Sequence, residues 1–283
     1  MNISLSELLK NIDSENLKLS RRIIANIKHI QYEDTIFRSE SILLSKSEQQ
    51  KFHQMLLRAV NGEPLSKIIG KKYFWKHEFI IDENVLDPRP ETELIIESVI
   101  NHFDIKSSLR FLDMGTGSGC ILLSLLSEFK NSSGIGVDIS AKAINIAEKN
   151  REALRIDDHR VSFFNIDWNK CIKNIPQDID IIVSNPPYIR RDEISSLDVA
   201  VRNYDPIIAL DGGDDGLQKY REISLFAKKI FSTAAKTHKT QYVFLEVGYD
   251  QAIAVKNILH ESGFQNISFI KDLGGINRVV IAH

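Results

Sequence analysis

The sequence predicts an α/β protein in which a small all-α domain precedes a mostly parallel sheet with helices on both faces. From about residue 108, apolar runs of strand length alternate with helical patterns, which is typical of parallel sheets. Before residue 70, apolar side chains instead recur at helical spacing. The predicted strands are 109–114, 134–139, 161–166, 179–184, 242–247, 267–271 and 278–282, and the predicted helices of this region are 120–129, 141–154, 217–235 and 251–262.

The last two predicted strands have no helix between them. They are joined by Leu273-Gly274-Gly275-Ile276-Asn277, so we expect an antiparallel hairpin at one edge of the sheet. The whole chain then divides into a helical domain over 1–71, a strand or hairpin linker over 72–84, and the α/β domain over 85–283.

Start and stop signals delimit the predicted helical domain. They are the capping-box patterns Ser4-x-x-Glu7 and Ser47-x-x-Gln50 and the stop Asn61-Gly62. Residues 42–44 are apolar and read as part of another helical stripe. Farther along, Pro90 suits the first position of a helix whose first turn is acidic.

Composition is ordinary for a globular protein and shows no global bias towards nucleic acid. The 283 residues include 36 basic and 38 acidic side chains, which gives a net charge of −2. The two cysteines, Cys120 and Cys171, make no disulfide framework or metal-binding pair. The charged N-terminus lacks a signal-peptide core, and no apolar run approaches the roughly 18 residues of a membrane span. We therefore expect a cytoplasmic protein.

A glycine-rich segment follows the first predicted strand of the sheet and precedes a helix. Its residues are Asp113, Met114, Gly115, Thr116, Gly117, Ser118 and Gly119. The glycines permit a tight turn and close approach of the backbone to a ligand, with helix N–H groups pointing at it. Asp113 could accept a hydrogen bond from a ligand ammonium group. By itself, the segment fits a turn without a ligand equally well.

The next two strand ends carry residues suited to a nucleoside. Asp138 follows the last glycine by 19 residues, close to where an acidic residue binds ribose in nucleotide-binding βαβ units. A helix cap is the alternative for Asp138, but we assign that role to Ser140. Asp167 could accept from an adenine amino group while the Trp168 ring packs against the base, although a surface turn fits the pair nearly as well.

The fourth strand end is the tetrapeptide Asn185-Pro186-Pro187-Tyr188. Two prolines stop a strand, since neither donates a backbone N–H and each has a fixed φ. A rigid rim with hydrogen-bond acceptors and a flat aromatic ring suits a planar –NH2 group. A plain proline turn is the alternative, but the position one strand beyond the nucleoside site favours a methyltransferase acting on an amino or amide nitrogen.

Together these segments resemble the class I S-adenosylmethionine-dependent methyltransferases, which share a Rossmann-like sheet. More narrowly, the chain resembles the bacterial protein-(glutamine) methyltransferases that modify peptide-chain release factors. The resemblance covers nearly the whole chain and rests on Gly62-Glu63-Pro64-Leu65, Phe74-Trp75, Pro88-Arg89-Pro90-Glu91-Thr92-Glu93, the glycine-rich segment, the tetrapeptide, Gly212-Gly213-Asp214-Asp215-Gly216-Leu217 and Leu273-Gly274-Gly275-Ile276-Asn277-Arg278.

The resemblance implies a seven-stranded sheet and methylation of the side-chain amide nitrogen of the glutamine in the Gly-Gly-Gln motif of release factors. It also implies that the helical domain helps to bind this protein substrate. From the sequence itself we expect no metal, since the eight histidines are scattered without a metal-binding spacing, and no membrane or direct nucleic-acid binding, since the chain has neither a long apolar run nor a basic tract. The residues we expect at the catalytic and substrate site are Asn185, Pro186, Pro187 and Tyr188. The residues we expect to bind S-adenosyl-L-methionine are Asp113, Gly115, Thr116, Gly117, Ser118, Gly119, Asp138, Asp167, Trp168 and Asn185.

Two other functions remain open from the sequence. A nucleic-acid methyltransferase acting on an exocyclic amine of adenine or guanine would make the same demands on the tetrapeptide, but it must also bind phosphates, and the chain has no basic tract. A non-catalytic partner protein that retains the fold is the second alternative. Intact Asp113, Asp138 and Asn185 argue against it. The segment 211–217 is read as a loop and helix cap, or as part of a substrate-side rim.

Overall fold

The computed structural model describes residues 2–168, 175, 176, 178–233 and 240–283. The chain divides into two compact units, one comprising Met1–Gly70 with Val199–Tyr204, the other Lys71–Asp198 with Asp205–His283. No sequence signal had assigned residues 199–204 to the first unit. The domain limits drawn from the sequence therefore remain a prediction. Of the two cysteines, Cys171 lies outside the described residues.

The first unit is mainly helical. Its elements before residue 71 are β1 (Ile3–Ser4), α1 (Leu5–Leu9), α2 (Ser14–Lys28), α3 (Asp34–Phe37), β2 (Leu43–Leu44), α4 (Lys46–Val60) and α5 (Leu65–Ile69). Apolar side chains of α1, α2, α4 and α5 form one core, with Leu5, Ile23, Ile24 and Phe52 fully buried. Helix α4 ends where Asn61-Gly62 predicted, with Gly62 at a φ of +92°.

Two predictions for this unit were wrong. The capping box of α4 is Ser45 with Glu48, not Ser47 with Gln50: Glu48 N donates to Ser45 Oγ at 3.3 Å, and Ser45 N donates to Glu48 Oε2 at 2.8 Å. The sequence fits a capping box at either serine, and in the structure the box forms at Ser45. Residues 43 and 44 are extended rather than helical because β2 pairs antiparallel with β1, a contact between segments 40 residues apart.

The second unit contains the sheet. The elements from residue 71 onward are β3 (Lys71–Phe74), β4 (His77–Ile80), α6 (Glu93–His102), β5 (Arg110–Met114), α7 (Cys120–Glu128), β6 (Ser133–Asp138), α8 (Ala141–Ala153), β7 (Val161–Asn165), β8 (Ile181–Ser184), α9 (Val199–Arg202), α10 (Gln218–Thr233), β9 (Tyr242–Glu246), α11 (Ala252–Glu261), β10 (Ile267–Lys271) and β11 (Asn277–Ala282). Of these, α9 belongs to the first unit and the others to the second. A 3₁₀ turn over Pro90–Thr92 leads into α6, in agreement with the predicted role of Pro90. Residues 234 and 235 of the predicted helix 217–235 lie outside the described part of the chain.

Seven strands form one sheet in the order β10-β11-β9-β8-β5-β6-β7. The pairs β5–β6, β6–β7, β5–β8 and β8–β9 are parallel, whereas β11 is antiparallel to both β9 and β10. The mostly parallel sheet and its antiparallel edge hairpin are therefore confirmed. Strands β3 and β4 form a separate antiparallel hairpin that begins at Lys71, one residue before the predicted linker 72–84.

Both faces of the sheet are buried, as the alternation of strands and helices predicts. Along β5, Phe111 belongs to the core that contains α6, α7 and part of α8, whereas Leu112 belongs to the core that contains α10 and α11. Burial of such a side chain contributes about 1.5–3 kcal/mol. No helix in the described part of the chain combines the length and the apolar character needed to cross a membrane.

We expect Gly136→Ala to lower the free energy of unfolding by about 1–3 kcal/mol, because strand β6 lies close to its neighbours at this point. An added Cβ would lie 2.5 Å from Phe163 Cδ1 and 2.8 Å from Thr116 Oγ1. Urea denaturation measures the effect. Gly274→Ala, in the exposed turn between β10 and β11, is the matched control and should change the free energy by less than about 0.5 kcal/mol. Equal values for both variants would contradict the tight packing at β6.

Candidate active site

The site lies where the strand order reverses. Strands β5 and β8 are neighbours, but α7 after β5 packs on one face of the sheet and α10, the first long helix after β8, packs on the other. In open α/β sheets such a reversal leaves a crevice at the carboxyl ends of the strands, where ligands bind. The glycine-rich segment continues from β5 and the tetrapeptide from β8. Ser184 Oγ donates to Met114 O and so joins the two strand ends.

The glycine-rich segment forms a tight turn between β5 and α7. Gly115, Gly117 and Gly119 have φ values of +76°, +54° and +79°, a region that favours glycine. The N–H groups of Gly115 and Thr116 donate to Val137 O at 2.9 and 3.0 Å, so the turn is fixed to β6. Apart from its two chain neighbours, no described residue has an atom within 4 Å of the position that a Cβ would take at Gly117, which leaves space beside the turn.

Asp113 is completely buried at the end of β5. Its Oδ2 accepts from Thr116 Oγ1 at 2.7 Å, whereas Oδ1 has no hydrogen-bond partner of normal geometry among the described residues. Burial raises the pKa of Asp113 to about 7, opposed by the Thr116 hydrogen bond and reinforced weakly by the charge of Asp138. Asp113 does not line the cavity described below, so its contact with a ligand ammonium group stays a prediction.

Asp138 closes the turn from the end of β6. Its Oδ2 accepts from Gly117 N at 2.9 Å and its Oδ1 from Ser140 N at 2.8 Å. Ser140 Oγ accepts from Ala143 N at 3.2 Å, so Ser140 caps α8 as predicted. Burial raises the pKa of Asp138, and each carboxylate oxygen retains a second lone pair that can accept from a diol.

Trp168 forms part of the cavity wall, on the side of the turn. Its ring lies 3.4 Å from the position of a Cβ at Gly115, and its Nε1 donates to Glu222 Oε2 at 2.8 Å. Lys219 Nζ lies 5.4 Å from the ring centroid, close enough for a cation–π interaction. The ring is thus held in one orientation. Asp167 is not among the described residues that line the cavity, and its contact with adenine stays a prediction.

Asn185 holds an unusual hydrogen-bonding position. Its Nδ2 donates to Thr92 Oγ1 at 3.0 Å, and Thr92 Oγ1 donates to Glu246 Oε2 at 2.5 Å. Its Oδ1 is buried and has no partner among the described residues. An unpaired buried acceptor costs about 1–3 kcal/mol. A bound –NH2 group that donates to Oδ1 would remove this cost.

The rest of the tetrapeptide is held by the segment 211–217. A Cβ at Gly212 would lie 2.8 Å from the Tyr188 Cα, and one at Gly216 would lie 2.6 Å from the Tyr188 O, so both positions require glycine for close approach. Gln251 Nε2 donates to Tyr188 O at 2.8 Å. Asp211 pairs with Arg191 at 3.0 Å. The segment therefore supports the backbone of the tetrapeptide. Pro186 is buried, and the side chain of Tyr188 reaches Glu246.

A cavity of about 780 Å³, counting its open mouth, connects these parts. Eight of the predicted site residues line it, namely Gly115, Thr116, Gly117, Ser118, Asp138, Trp168, Asn185 and Pro187. Residues 84–86, 88 and 206, 208 and 209 add further, mostly apolar wall. The open space at Gly117, the Asn185 Oδ1 that has no partner among the described residues, and the Trp168 ring fit a nucleoside-bearing methyl donor.

Sequence reasoning gave no role to three residues that support the site. Thr92 lies in the quoted proline-rich segment but was read only as part of a helix start. Glu246 is an acidic residue at the end of an apolar strand, and an acidic residue in such a run could have indicated a functional position. Gln251 was read only as the first residue of a helix, and nothing in the sequence connects it with Tyr188.

The comparisons agree with this geometry. A family model described as a methyltransferase domain matches residues 105–240. The chain is 36% identical over 265 residues to a release factor glutamine methyltransferase of Agrobacterium fabrum, covering 92% of this chain and 88% of that protein. It is 34% identical to the protein of that name from Thermodesulfovibrio yellowstonii, covering 95% and 92%. The catalytic domain of hMettl16, solved with a 3′UTR hairpin, shares the fold with a TM-score of 0.53 at 16% identity, covering 84% of this chain and 81% of that chain.

We expect Asp113→Asn to stabilise the unliganded protein above about pH 7. The folded pKa of about 7 exceeds the ordinary value of 3.8, so folding disfavours the ionised form, and stability is lost as the pH rises between these values. The gain in melting temperature should therefore be largest near pH 8 and shrink towards pH 4, as thermal unfolding would show. Asp157→Asn, at an exposed carboxylate, should give no such gain. A gain independent of pH would contradict the assignment.

Proposed function

The chain belongs to the release factor glutamine methyltransferase family, and from that premise we propose that it methylates peptide-chain release factors. The methyl group comes from S-adenosyl-L-methionine and goes to the side-chain amide nitrogen of the glutamine in the Gly-Gly-Gln motif. The observation that carries the proposal is the Asn185 amide, whose Nδ2 is engaged by Thr92 while its buried Oδ1 has no partner among the described residues. Such an acceptor suits an –NH2 group.

Orientation is the main contribution that the chain makes. The glutamine nitrogen is a poor nucleophile because its lone pair is delocalised into the carbonyl group. Asn185 Oδ1 and the Pro186 carbonyl accept from the two N–H bonds and aim the nitrogen, while the Tyr188 ring packs on the amide plane. Alignment of this kind can supply roughly 7–11 kcal/mol of the barrier in favourable cases. The same acceptors stabilise positive charge as it develops on nitrogen.

When bound, the methyl donor supplies an electrophilic carbon on a sulfonium, so the new C–N bond forms while the S–C bond breaks and sulfur keeps the electron pair. The methylated nitrogen then loses one proton to water. The glycine turn and Asp138 would bind the amino-acid and ribose parts of the donor, and Trp168 would bind its adenine. These residues lie around one cavity, and the spacing of the strand ends sets their order.

The protein substrate is expected to contact more of the chain than the tetrapeptide. We propose that the helical unit of residues 1–70 helps to bind the release factor and that the reaction takes place in the cytoplasm. Direct binding to nucleic acid is not expected, since the acidic and basic side chains nearly balance.

The decisive experiment incubates the protein with methyl-labelled S-adenosylmethionine and, separately, a release factor, ribosomal RNA or duplex DNA. We expect label in the release factor only, and none when its Gly-Gly-Gln glutamine is replaced. Label in nucleic acid alone would overturn the proposed substrate while leaving the cofactor assignment intact.

We expect Asn185→Ala to reduce kcat about 100- to 1,000-fold, since an oriented acceptor at the reacting nitrogen is lost. The affinity for the methyl donor should change less than about tenfold, as calorimetry would measure. Asn131→Ala removes a surface asparagine that donates to Lys106 O at 2.9 Å and is the matched control. Near-normal turnover of Asn185→Ala would refute the role given to Asn185.

We expect Asp138→Asn to weaken binding of the methyl donor about tenfold or more, because an amide offers one acceptor oxygen where the carboxylate offers two. The lost oxygen leaves Gly117 N or Ser140 N without its acceptor, so the turn shifts as well. Calorimetric titration with the donor checks this, and Asp157→Asn again serves as the control. Unchanged affinity would exclude Asp138 from the ribose site.

A further inference from the structure

Three side chains from distant parts of the sequence, two of them buried, form one row of hydrogen bonds beside the cavity. Asn185 follows β8, Thr92 precedes α6, and Glu246 ends β9. The row runs from Asn185 Nδ2 to Thr92 Oγ1 and on to Glu246 Oε2, and Tyr188 donates to the second Glu246 oxygen at a longer 3.5 Å. Thr92 and Glu246 are each 2% exposed, so water does not compete for these groups.

The Thr92 hydroxyl sets the direction of the row because it has a single proton to donate. An ionised carboxylate can only accept, so the Thr92 proton must point to Glu246. The lone pairs of Thr92 are then acceptors, and the group of Asn185 that faces them must be its NH2. Asn185 Oδ1 is therefore the atom left to accept from a substrate.

We propose that Thr92 and Glu246 are positioning residues that fix the Asn185 amide in the orientation that accepts from a substrate –NH2 group. The inference rests on the proposed function, because it deepens the role of the same site. Thr92 and Glu246 do not touch the reacting atoms, but through Asn185 they make the site bind a substrate group that donates a hydrogen bond rather than one that accepts.

The direction of the row reverses when Glu246 is protonated. The carboxyl then donates to Thr92, Thr92 can donate to Asn185 Oδ1, and the rotated amide presents its NH2 to the substrate –NH2. The charged and titratable groups around Glu246 are Arg278 on β11, Glu91 before α6, Tyr188, Tyr220 on α10 and Cys120 on α7. Burial raises the pKa of Glu246 to about 7, a shift that Thr92 and Arg278 oppose and Glu91 increases. The oriented form therefore dominates above about pH 7 and is lost as the pH falls through that value.

The first test compares Thr92→Val, which keeps the shape but lacks the hydroxyl, with Thr92→Ser, which keeps the hydroxyl. We expect kcat for the release factor to fall about 10- to 100-fold in Thr92→Val and to recover to within about threefold of wild type in Thr92→Ser. Thr92 also lines the cavity, so the KM for the methyl donor is measured alongside and should change less than about threefold. Equal kcat values for wild type and Thr92→Val would overturn the proposal.

The second test is the pH dependence of kcat at saturating methyl donor, so that titration of Asp113 in the donor site does not limit the rate. Wild type should lose activity below about pH 7, and Glu246→Gln should lack this acid limb because residue 246 no longer titrates. Glu128→Gln is the matched control: this partly buried carboxylate accepts from Trp75 Nε1 at 2.6 Å, and its variant should keep the limb.

The outcomes separate the two proposals. If wild type transfers no methyl group to a release factor, the proposed function fails. If wild type is active but the acid limb of Glu246→Gln matches that of wild type, the function stands and the positioning role is wrong. Should Thr92→Val fail to fold, as judged by its melting temperature, the comparison of Glu246→Gln with wild type still decides.

Discussion

Strands β5 and β8 lie side by side, yet the chain leaves them towards opposite faces of the sheet, and the rest of the site depends on this divergence. The two connections cannot fill the space between the strand ends, so a crevice opens there. The glycine turn and the tetrapeptide are separated by some 70 residues of sequence but flank the same crevice. The parallel pairing of β5 with β8 and the hydrogen bond from Ser184 Oγ to Met114 O keep the two strand ends together. Neither motif could form the site without the reversal.

The crevice also explains the buried carboxyl groups. Asp113 is the next-to-last residue of β5 and Glu246 the last of β9, two mostly apolar strands, and burial raises the pKa of both to about 7. Asp138 is likewise shifted upward by burial. Burying an isolated charge is unfavourable in free energy, so such groups are expected where a ligand or a row of hydrogen bonds offsets that free energy. For Glu246 the row through Thr92 is present in the protein itself, whereas the Asp113 Oδ1 has no partner of normal geometry among the described residues.

The sequence predicted the parts of this structure that are local. Periodicity located all seven strands of the main sheet within two residues, because each strand is an apolar run between turn formers. It failed where two local signals competed, as with Ser45 and Ser47, and where a distant partner decided the conformation, as with Leu43 and Leu44. The Thr92–Glu246 pair spans 154 residues and has no periodicity to reveal it. Composition and residue spacing could not predict which single polar side chains pair across such long stretches of sequence.

Charge completes the argument for the proposed reaction. The methyl donor carries a positive sulfonium, and the product that remains after transfer has lost that charge. In the binding mode proposed for the donor, Asp113 and Asp138, which lie near each other towards the ends of β5 and β6, would favour a cation over a neutral ligand. The attraction therefore weakens once the methyl group has moved, which favours release of the spent donor. Asn185 is neutral and adds no further charge. An acceptor at this position must bind an uncharged glutamine amide before the methyl transfer, and must stabilise only the positive charge that develops on the nitrogen during the transfer.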